Sequence, residues 1–368
     1  MLKNTNKSKL LILSGISALT LVLSGCAGNA NMFRGDPSHT AVYSDSAPTS
    51  LETLDWKYTL SGKTYSSPLV TDGTIYLGSN DKHLYAINQQ TGQMKWRFKT
   101  GGNIESTPAT ANGIIYVGSW DKIMYAINTN TRSVVWKQKT EGPISSSPII
   151  ADGIIYFASE DGKLYAADAI TGNRKWDFNA GSPIYSSPAI YGDSIFFGTL
   201  NGEMFAVNRH TGQEYWRFRT KGKIHSSPAV NAENVFFGSD DKYVYAVNIQ
   251  TGQQSWVKKT AGPVLSSPAL YQNKVYIGSK DGYVYSYDAN DGTREWEFRT
   301  EAGIYAPVII ASDTVYVGST DGNLYALDAG EGNLRWSYKV DSKIYSAATV
   351  SENHVYFSSV NGSLYAVK

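Results

Sequence analysis

The stretch YSSPLVTDGTIYLGSNDKHLYAINQQTGQMKW, residues 65–96, decides the fold. Three short apolar runs stand in it, Tyr65–Val70, Thr74–Gly78 and His83–Asn88, and a fourth surrounds Trp96. Each is rich in β-branched and aromatic residues and is bounded by turn formers, as strands are. Asp72-Gly73 parts the first two, Asp81-Lys82 the next two, and Thr91-Gly92 precedes the fourth. Asp-Gly suits a type I′ turn, in which both central residues take positive φ. The unit reads as a four-stranded antiparallel meander, with strands A, B, C and D in chain order. No segment after residue 25 sustains a 3.6-residue apolar period, so an all-β chain follows.

The unit repeats. Trp56, Trp96, Trp136, Trp176, Trp216, Trp256, Trp296 and Trp336 stand 40 positions apart without a slip, and only Trp120 falls outside the series. A fixed period of this size marks a solenoid, a propeller or an array. Side-chain size chooses among them. Strand A is small, with Ser66-Ser67-Pro68, Ser106-Thr107-Pro108, Ser146-Ser147-Pro148, Ser186-Ser187-Pro188, Ser226-Ser227-Pro228 and Ser266-Ser267-Pro268, whereas B, C and D carry the aromatics. Radial sheets crowd at the axis and splay at the rim, so small residues suit the inner strand. Proline there fits an edge that need not donate. These are the demands of a propeller of four-stranded blades.

The ends of the chain give the blade count. Sets of A, B and C begin near Tyr65, Glu105, Ser145, Tyr185, His225, Leu265, Tyr305 and Tyr345, which makes eight. The last set runs out at Lys368 without a D strand, and Leu54–Thr59 around Trp56 is a D strand without a set ahead of it. The sequence therefore predicts that Leu54–Thr59 pairs with Ser363–Val367 and closes an eight-bladed ring, removing its open edges. Blades seven and eight depart from the inner pattern, with Ala306-Pro307-Val308 and Ala347-Ala348.

The segment Ala86-x-Asn88-x-x-Thr91-Gly92-x-x-x-Trp96 resembles the tryptophan-docking motif of the PQQ-type propeller repeat. It recurs at Ala166 to Trp176, Ala206 to Trp216 and Ala246 to Trp256. The resemblance covers residues 54–368. It implies that the eight tryptophans Trp56, Trp96, Trp136, Trp176, Trp216, Trp256, Trp296 and Trp336 form a structural girdle, each packing on the Ala and turn Gly of neighbouring repeats. Departures are Thr131-Arg132, Asp291-Gly292 and Glu331-Gly332 for Thr-Gly, and Ser286 for Ala. Arg132 is the one expected to distort its turn.

Residues 1–25 read as an export signal. Lys3, Lys7 and Lys9 precede the apolar run Leu10–Leu23, which is too short to span a ~30 Å hydrocarbon core and suits a signal peptide. Leu23-Ser24-Gly25-Cys26 resembles the bacterial lipobox, which implies cleavage before Cys26 and acylation of that residue, the chain's one cysteine. Ala27 in place of Asp leans towards the outer membrane, facing the periplasm. In a Gram-positive cell the same signal leaves the protein on the outer face of the plasma membrane. Residues 26–53 form a tether rich in Ser, Asn, Asp and Thr. Its Met32-Phe33-Arg34-Gly35-Asp36-Pro37-Ser38-His39-Thr40 resembles a segment often found before such propellers and is expected to dock on the ring. Arg34-Gly35-Asp36 also spells an integrin-type tripeptide, which three residues are too few to support.

Charge excludes some classes. Of 33 basic residues, three lysines leave with residues 1–25, so 30 face 32 acids and the net charge is −2. No basic patch argues for nucleic acid. His39, His83, His210, His225 and His354 are scattered without metal spacing. Gly62-Lys63-Thr64 is only the tail of a P-loop, and no G-x-S-x-G elbow occurs. Quinoprotein dehydrogenases share the repeat but use a vicinal cysteine pair, a calcium site, an aspartate base and long insertions. One cysteine rules out the vicinal pair and the bare 40-residue period lacks the insertions, so the chain reads as no enzyme, with no cofactor and no metal.

What remains is surface. The residue before each Ser-Ser pair varies, as Tyr65, Glu105, Ser145, Tyr185, His225, Leu265, Tyr305 and Tyr345. Trp120 stands on the same face, in the B→C turn where other blades carry Asn80, Glu160, Leu200, Asp240, Lys280, Thr320 and Val360. Tyr and Trp are enriched among binding hot spots. The candidate partner-binding set is thus Trp120, Glu105, Tyr65, Tyr185, His225, Tyr305 and Tyr345, with packing of these aromatics on neighbouring loops as the competing reading. The whole resembles envelope lipoproteins of the BamB family. That resemblance implies a monomeric, lipid-anchored scaffold that binds the outer-membrane β-barrel assembly machinery. Two alternatives stay open: a PQQ- or sugar-binding enzyme or sensor, and a surface adhesion or polymer-binding lipoprotein.

Overall fold

The computed structural model describes Met1 and residues 31–368 apart from Glu52. The signal segment and Cys26 lie outside the described residues. Eight sheets stand around one axis, and no helix occurs among the described residues. Blade one runs Leu69–Thr71, Thr74–Gly78, His83–Asn88 and Met94–Lys99, paired antiparallel in that order. The next six blades repeat it. In six of the eight blades both A→B turn residues take the left-handed conformation that Asp-Gly favours, as at Asp72 and Gly73 with φ of 48° and 64°.

The eighth blade closes the ring as the two chain ends predict. Leu54–Thr59 pairs antiparallel with Ser363–Val367, Trp56 opposite Ala366 and Thr59 opposite Ser363. Thr53 and Lys368 add reciprocal backbone bonds of 2.9 and 3.1 Å. The pairing even carries the register shift beside the tryptophan that Ala86/Ile87 shows in blade one. The N-terminal strand is therefore an ordinary D strand supplied from the other end of the chain.

Strand A is shorter than the sequence reading. It covers Leu69–Thr71, not Tyr65–Val70. Ser66-Ser67-Pro68 leaves the ladder because it bonds to the next blade instead. The Ser67 N–H donates to Thr107 Oγ1 at 3.2 Å, Thr107 to Ser147 Oγ at 2.9 Å, Ser147 to Ser187 Oγ at 2.9 Å, Ser187 to Ser227 Oγ at 2.9 Å and Ser227 to Ser267 Oγ at 3.0 Å. The Ala347 N–H donates to Ser67 Oγ at 2.9 Å. A belt of hydroxyls thus circles the axis, with gaps where Pro307 and Ala347 lack the side chain.

Each girdle tryptophan packs on the C→D turn of the following blade. Seven of the eight donate Nε1–H to a carbonyl there, from Trp136 to Ala169 at 2.8 Å through Trp336 to Pro48 at 3.2 Å. Blade eight has no C→D turn of its own, and Pro48 of the incoming chain takes that place. Turn glycines are needed here because a Cβ on Gly92 or Gly212 would sit 2.6 or 2.7 Å from the Trp56 or Trp176 ring. Arg132 occupies the same position in blade two. It does not distort the turn: its φ is 60° and its N–H reaches Asn128 O at 2.8 Å, as Gly92 does to Asn88 at 3.0 Å. The consequence falls on the tryptophan. Trp96 is the one that makes no Nε1 hydrogen bond among the described residues, and a cleft of about 590 Å³ opens beside it, lined by Thr71, Lys95, Trp96, Thr129 and Arg132.

Residues 31–43 cross the axis at the A→B end of the inner strands. The carbonyls of Asn31, Pro37, Ser38, Thr40 and Ala41 accept from the N–H groups of Thr110, Ile190, Val230, Leu270 and Ile310, at 2.6–3.0 Å. Val42–Tyr43 then lies parallel to Ile309–Ala311 as a fifth strand. The inner edges of five blades, open in a bare propeller, are capped in this way. The departures in blades seven and eight lie in an apolar setting: Val308, Ala347 and Ala348 belong to the same buried cluster as Phe33 of the plug. Arg34 is 1% exposed, so the tripeptide it begins is not on the surface.

Candidate functional site

The D→A and B→C loops form the open mouth, opposite the plug. At several blades the B→C turn residue reaches the variable residue 25 positions later, on the next blade. Asn80 Nδ2 donates to Glu105 Oε1 at 3.3 Å, Trp120 Nε1 donates to Ser145 Oγ at 3.0 Å, and Lys280 Nζ lies 5.2 Å from the Tyr305 ring centroid. These contacts tie neighbouring blades together at the mouth. This offset does not show in the 40-residue period, because it joins positions of different function in adjacent repeats.

The two sides of the mouth differ in chemistry. Tyr305, Tyr345 and Tyr65 form an aromatic run, with centroids 5.0 Å apart edge to face for the first pair and 5.9 Å for the second. A cleft of about 530 Å³ adjoins it at the closure seam, lined by Lys63, Tyr65, Lys343, Tyr345, Val360 and Asn361. Next round the ring, on blades two and three, stand Glu105, Ser145 and Glu160, where Ser145 Oγ donates to Glu160 Oε1 at 2.7 Å. Burial raises the Glu105 carboxyl pKa and the neighbouring Glu160 adds to this, against a hydrogen bond from Asn80. The Tyr185 phenol is pushed up to about 12, by burial first and then by Glu160. Tyr185 also meets His225 edge to face at 5.8 Å, and His225 Nε2 lies 3.7 Å from Asp240 Oδ2. Desolvation lowers the His225 pKa, outweighing Asp240.

The structure therefore brings Trp120, Glu105, Tyr65, Tyr185, His225, Tyr305 and Tyr345 to one face. It also packs most of them on each other, and all but two are half-buried. Trp120 and Tyr65 keep 39% and 37% of their surface in water. Among the described residues, no three His, Cys, Asp or Glu side chains converge as metal ligands would. A chain with one cysteine has no vicinal cysteine pair of the kind the dehydrogenases use, and Lys63, Lys280 and Lys343 stand beside the aromatic run. Sequence reasoning missed Ser145 and Glu160 as neighbours of Trp120. It also missed Arg34 and His39, whose seats depend on how the tether crosses the ring.

Comparisons with known proteins agree on the architecture. The family model described as "Outer membrane protein assembly factor BamB" matches residues 49–107 and 99–217. One described as "Beta-alanine-activating enzyme, beta-propeller" matches residues 191–368. Among solved structures, BamB from Moraxella catarrhalis superposes with a TM-score of 0.73 at 16% identity, over 86% of this chain and 99% of that one. The computationally designed protein Ika8 gives 0.75 at 18%, over 84% and 98%. Quinohemoprotein alcohol dehydrogenase from Comamonas testosteroni gives 0.78 at 14%, over 91% and 80%. No curated protein matches the chain. The eight-bladed propeller of PQQ-type repeats read from the sequence is the architecture observed, and it is shared by enzymes and non-enzymes alike.

Proposed function

We propose that this chain is a lipid-anchored propeller of the cell envelope that binds other proteins through its mouth and performs no chemistry, acting as BamB-like proteins do in outer-membrane β-barrel assembly. The observation that carries this reading is the match of residues 49–217 to the model described as the assembly factor BamB. The mouth supports it: an exposed tryptophan, an aromatic run and an acidic side together suit a polar, partly apolar partner surface. Acylated Cys26 supplies the anchor, since each buried CH₂ contributes about 0.8 kcal/mol.

Mild-detergent co-purification from native membranes tests it, comparing the wild type with Trp120→Ala combined with Glu105→Ala. The reading expects a β-barrel assembly protein to co-purify and the double change to release it. Absence of any barrel protein under conditions that preserve such complexes would remove the assembly role. One observation favours a ligand reading, the 530 Å³ cleft between Tyr65 and Tyr345. A chromophore retained after adding PQQ with calcium would put that reading first.

A further inference from the structure

The chain is pinned to the ring a short distance after its proposed anchor. Asn31 and Thr110 exchange backbone hydrogen bonds of 3.0 and 2.7 Å, and Asn31 Nδ2 donates to Thr71 Oγ1 at 2.8 Å. Thr71 and Thr110 lie on the innermost strands of blades one and two, at the end of the ring that residues 31–43 plug. Cys26 precedes Asn31 by five residues, which span at most about 18 Å whatever path they take. From strand A to strand D of a blade is about 14 Å, so such a length only just clears the rim on the plug side. Reaching the mouth would add the length of the strands, about 17–20 Å. Nor does the tether leave room beneath the plug for a small folded domain, about 30 Å across. An acyl group on Cys26 therefore brings the plug face to the bilayer and turns the mouth away from it.

The surface of that end carries a matching pattern. Apart from Met1, nine large apolar side chains are exposed among the described residues. Tyr65 and Trp120 are at the mouth, and the other seven are all at the plug-side ends of the strands or in the turns there. Leu334, Leu54, Met94 and Val135 stand at the start of the D strands of blades seven, eight, one and two. Ile170, 61% exposed, lies in the C→D turn of blade three, and Tyr191 and Tyr215 follow on blade four. Six neighbouring blades carry this apolar arc, and the pinned residues Thr71 and Thr110 lie on the two blades at its centre. Scattered apolar residues are ordinary on a protein surface, but confinement to one arc centred on a lipid tether is not. Three cations along the arc are paired with acids: Arg209 with Asp152 at 2.6 Å, Arg335 with Asp328 at 2.6 Å and Lys175 with Asp168 at 3.7 Å. The arc thus offers apolar area rather than a cationic patch. It suits a bilayer interface, where tyrosines and aliphatic side chains bury that area among the headgroups.

We propose that the propeller rests on the membrane surface by the plug-side rim of blades seven, eight and one to four, with its mouth directed away. The occupant of the arc is the interface of a lipid bilayer, and anionic lipid is not required. The proposal rests on the lipid-anchor reading and adds to it which face of the ring meets the lipid.

The test uses the full lipidated chain, purified from native membranes and returned to phosphatidylcholine vesicles that carry spin-labelled headgroups. A fluorescent amino acid replaces Ile170 in one sample and Trp120 in another, and radioactive palmitate reports acylation of Cys26. The fluorophore at the Ile170 position loses at least about half its intensity, since an interfacial apolar face sits about 5–10 Å into the headgroup region. The one at the Trp120 position keeps its intensity. Met94→Glu/Tyr215→Glu, both on the surface, lowers the quenching at the Ile170 position at least about twofold. No change in that variant would overturn the contact, because a tether acting without the arc is indifferent to it. Equal quenching at the two positions of a palmitate-labelled chain would overturn the orientation and leave the anchor standing. A chain that takes up no palmitate in its native membranes would remove the anchor reading, and the proposal with it.

Discussion

Arg132→Gly should stabilise the ring, against the usual cost of adding glycine. Arg132 is held at φ 60°, in the left-handed region, where six blades carry glycine. That conformation costs a non-glycine residue about 1–2 kcal/mol. Removing the side chain lets Trp96 seat as Trp176 does on Gly212, closing the 590 Å³ cleft and restoring an Nε1 hydrogen bond. Such a bond contributes about 0.5–1.5 kcal/mol net. Against these stands the added freedom of glycine in the unfolded chain, about 0.4–1 kcal/mol. The balance is a gain of about 1–2 kcal/mol, worth about 3–5 °C on the scale of domains somewhat smaller than this one. Differential scanning calorimetry reads the midpoint, and hydrogen exchange at the Trp96 indole reads the seat. The reasoning fails if the variant melts no higher than wild type while the indole N–H becomes protected. The reverse change, Gly212→Arg, should lower the midpoint, because its Cβ would meet Trp176 at 2.7 Å.

Three further outcomes follow from buried polar and apolar groups. Ser286 stands where other blades carry alanine, with its hydroxyl buried and unpartnered among the described residues; Ser286→Ala should therefore raise stability by about 1 kcal/mol in a urea melt. Phe33→Ala should destabilise the folded chain by about 3 kcal/mol, and limited proteolysis should then cut first within residues 31–48. The His39 pKa is lowered to about 3, by burial first and then by the Arg34 charge. The folded chain thus favours the neutral ring. This contribution is complete above pH 6.5 and is lost progressively as pH falls from 6.5 towards about 3. A pH series of urea melts should show the loss begin near pH 6.5 in wild type and nearer the carboxylate range in His39→Gln.

Much of the ring was legible because its contacts repeat. The tryptophan period, the Asp-Gly turns and the complementary ends fix blade number and closure, and each rests on spacing within one repeat or its neighbour. The inner strand was read too long because the Ser-Ser-Pro hydroxyls serve the next blade, a bond between repeats that propensity does not register. The route of residues 31–48 was beyond reach for a related reason. His39 meets Pro228 across 189 positions, and Tyr316 donates to Pro48 across 268. Neither contact recurs, so no period announces it. Of the mouth, the variable residues were found by their variation, while the pairing of Trp120 with Ser145 required the rotation between blades.

The central functional claim is that the mouth, rather than the plug face, meets the partner. A photo-crosslinking amino acid placed at Trp120 and, separately, at Tyr191 on the opposite face reads this directly in native membranes. The account expects a specific adduct with a β-barrel assembly protein from position 120 and none from position 191. An adduct from 191 alone would contradict it.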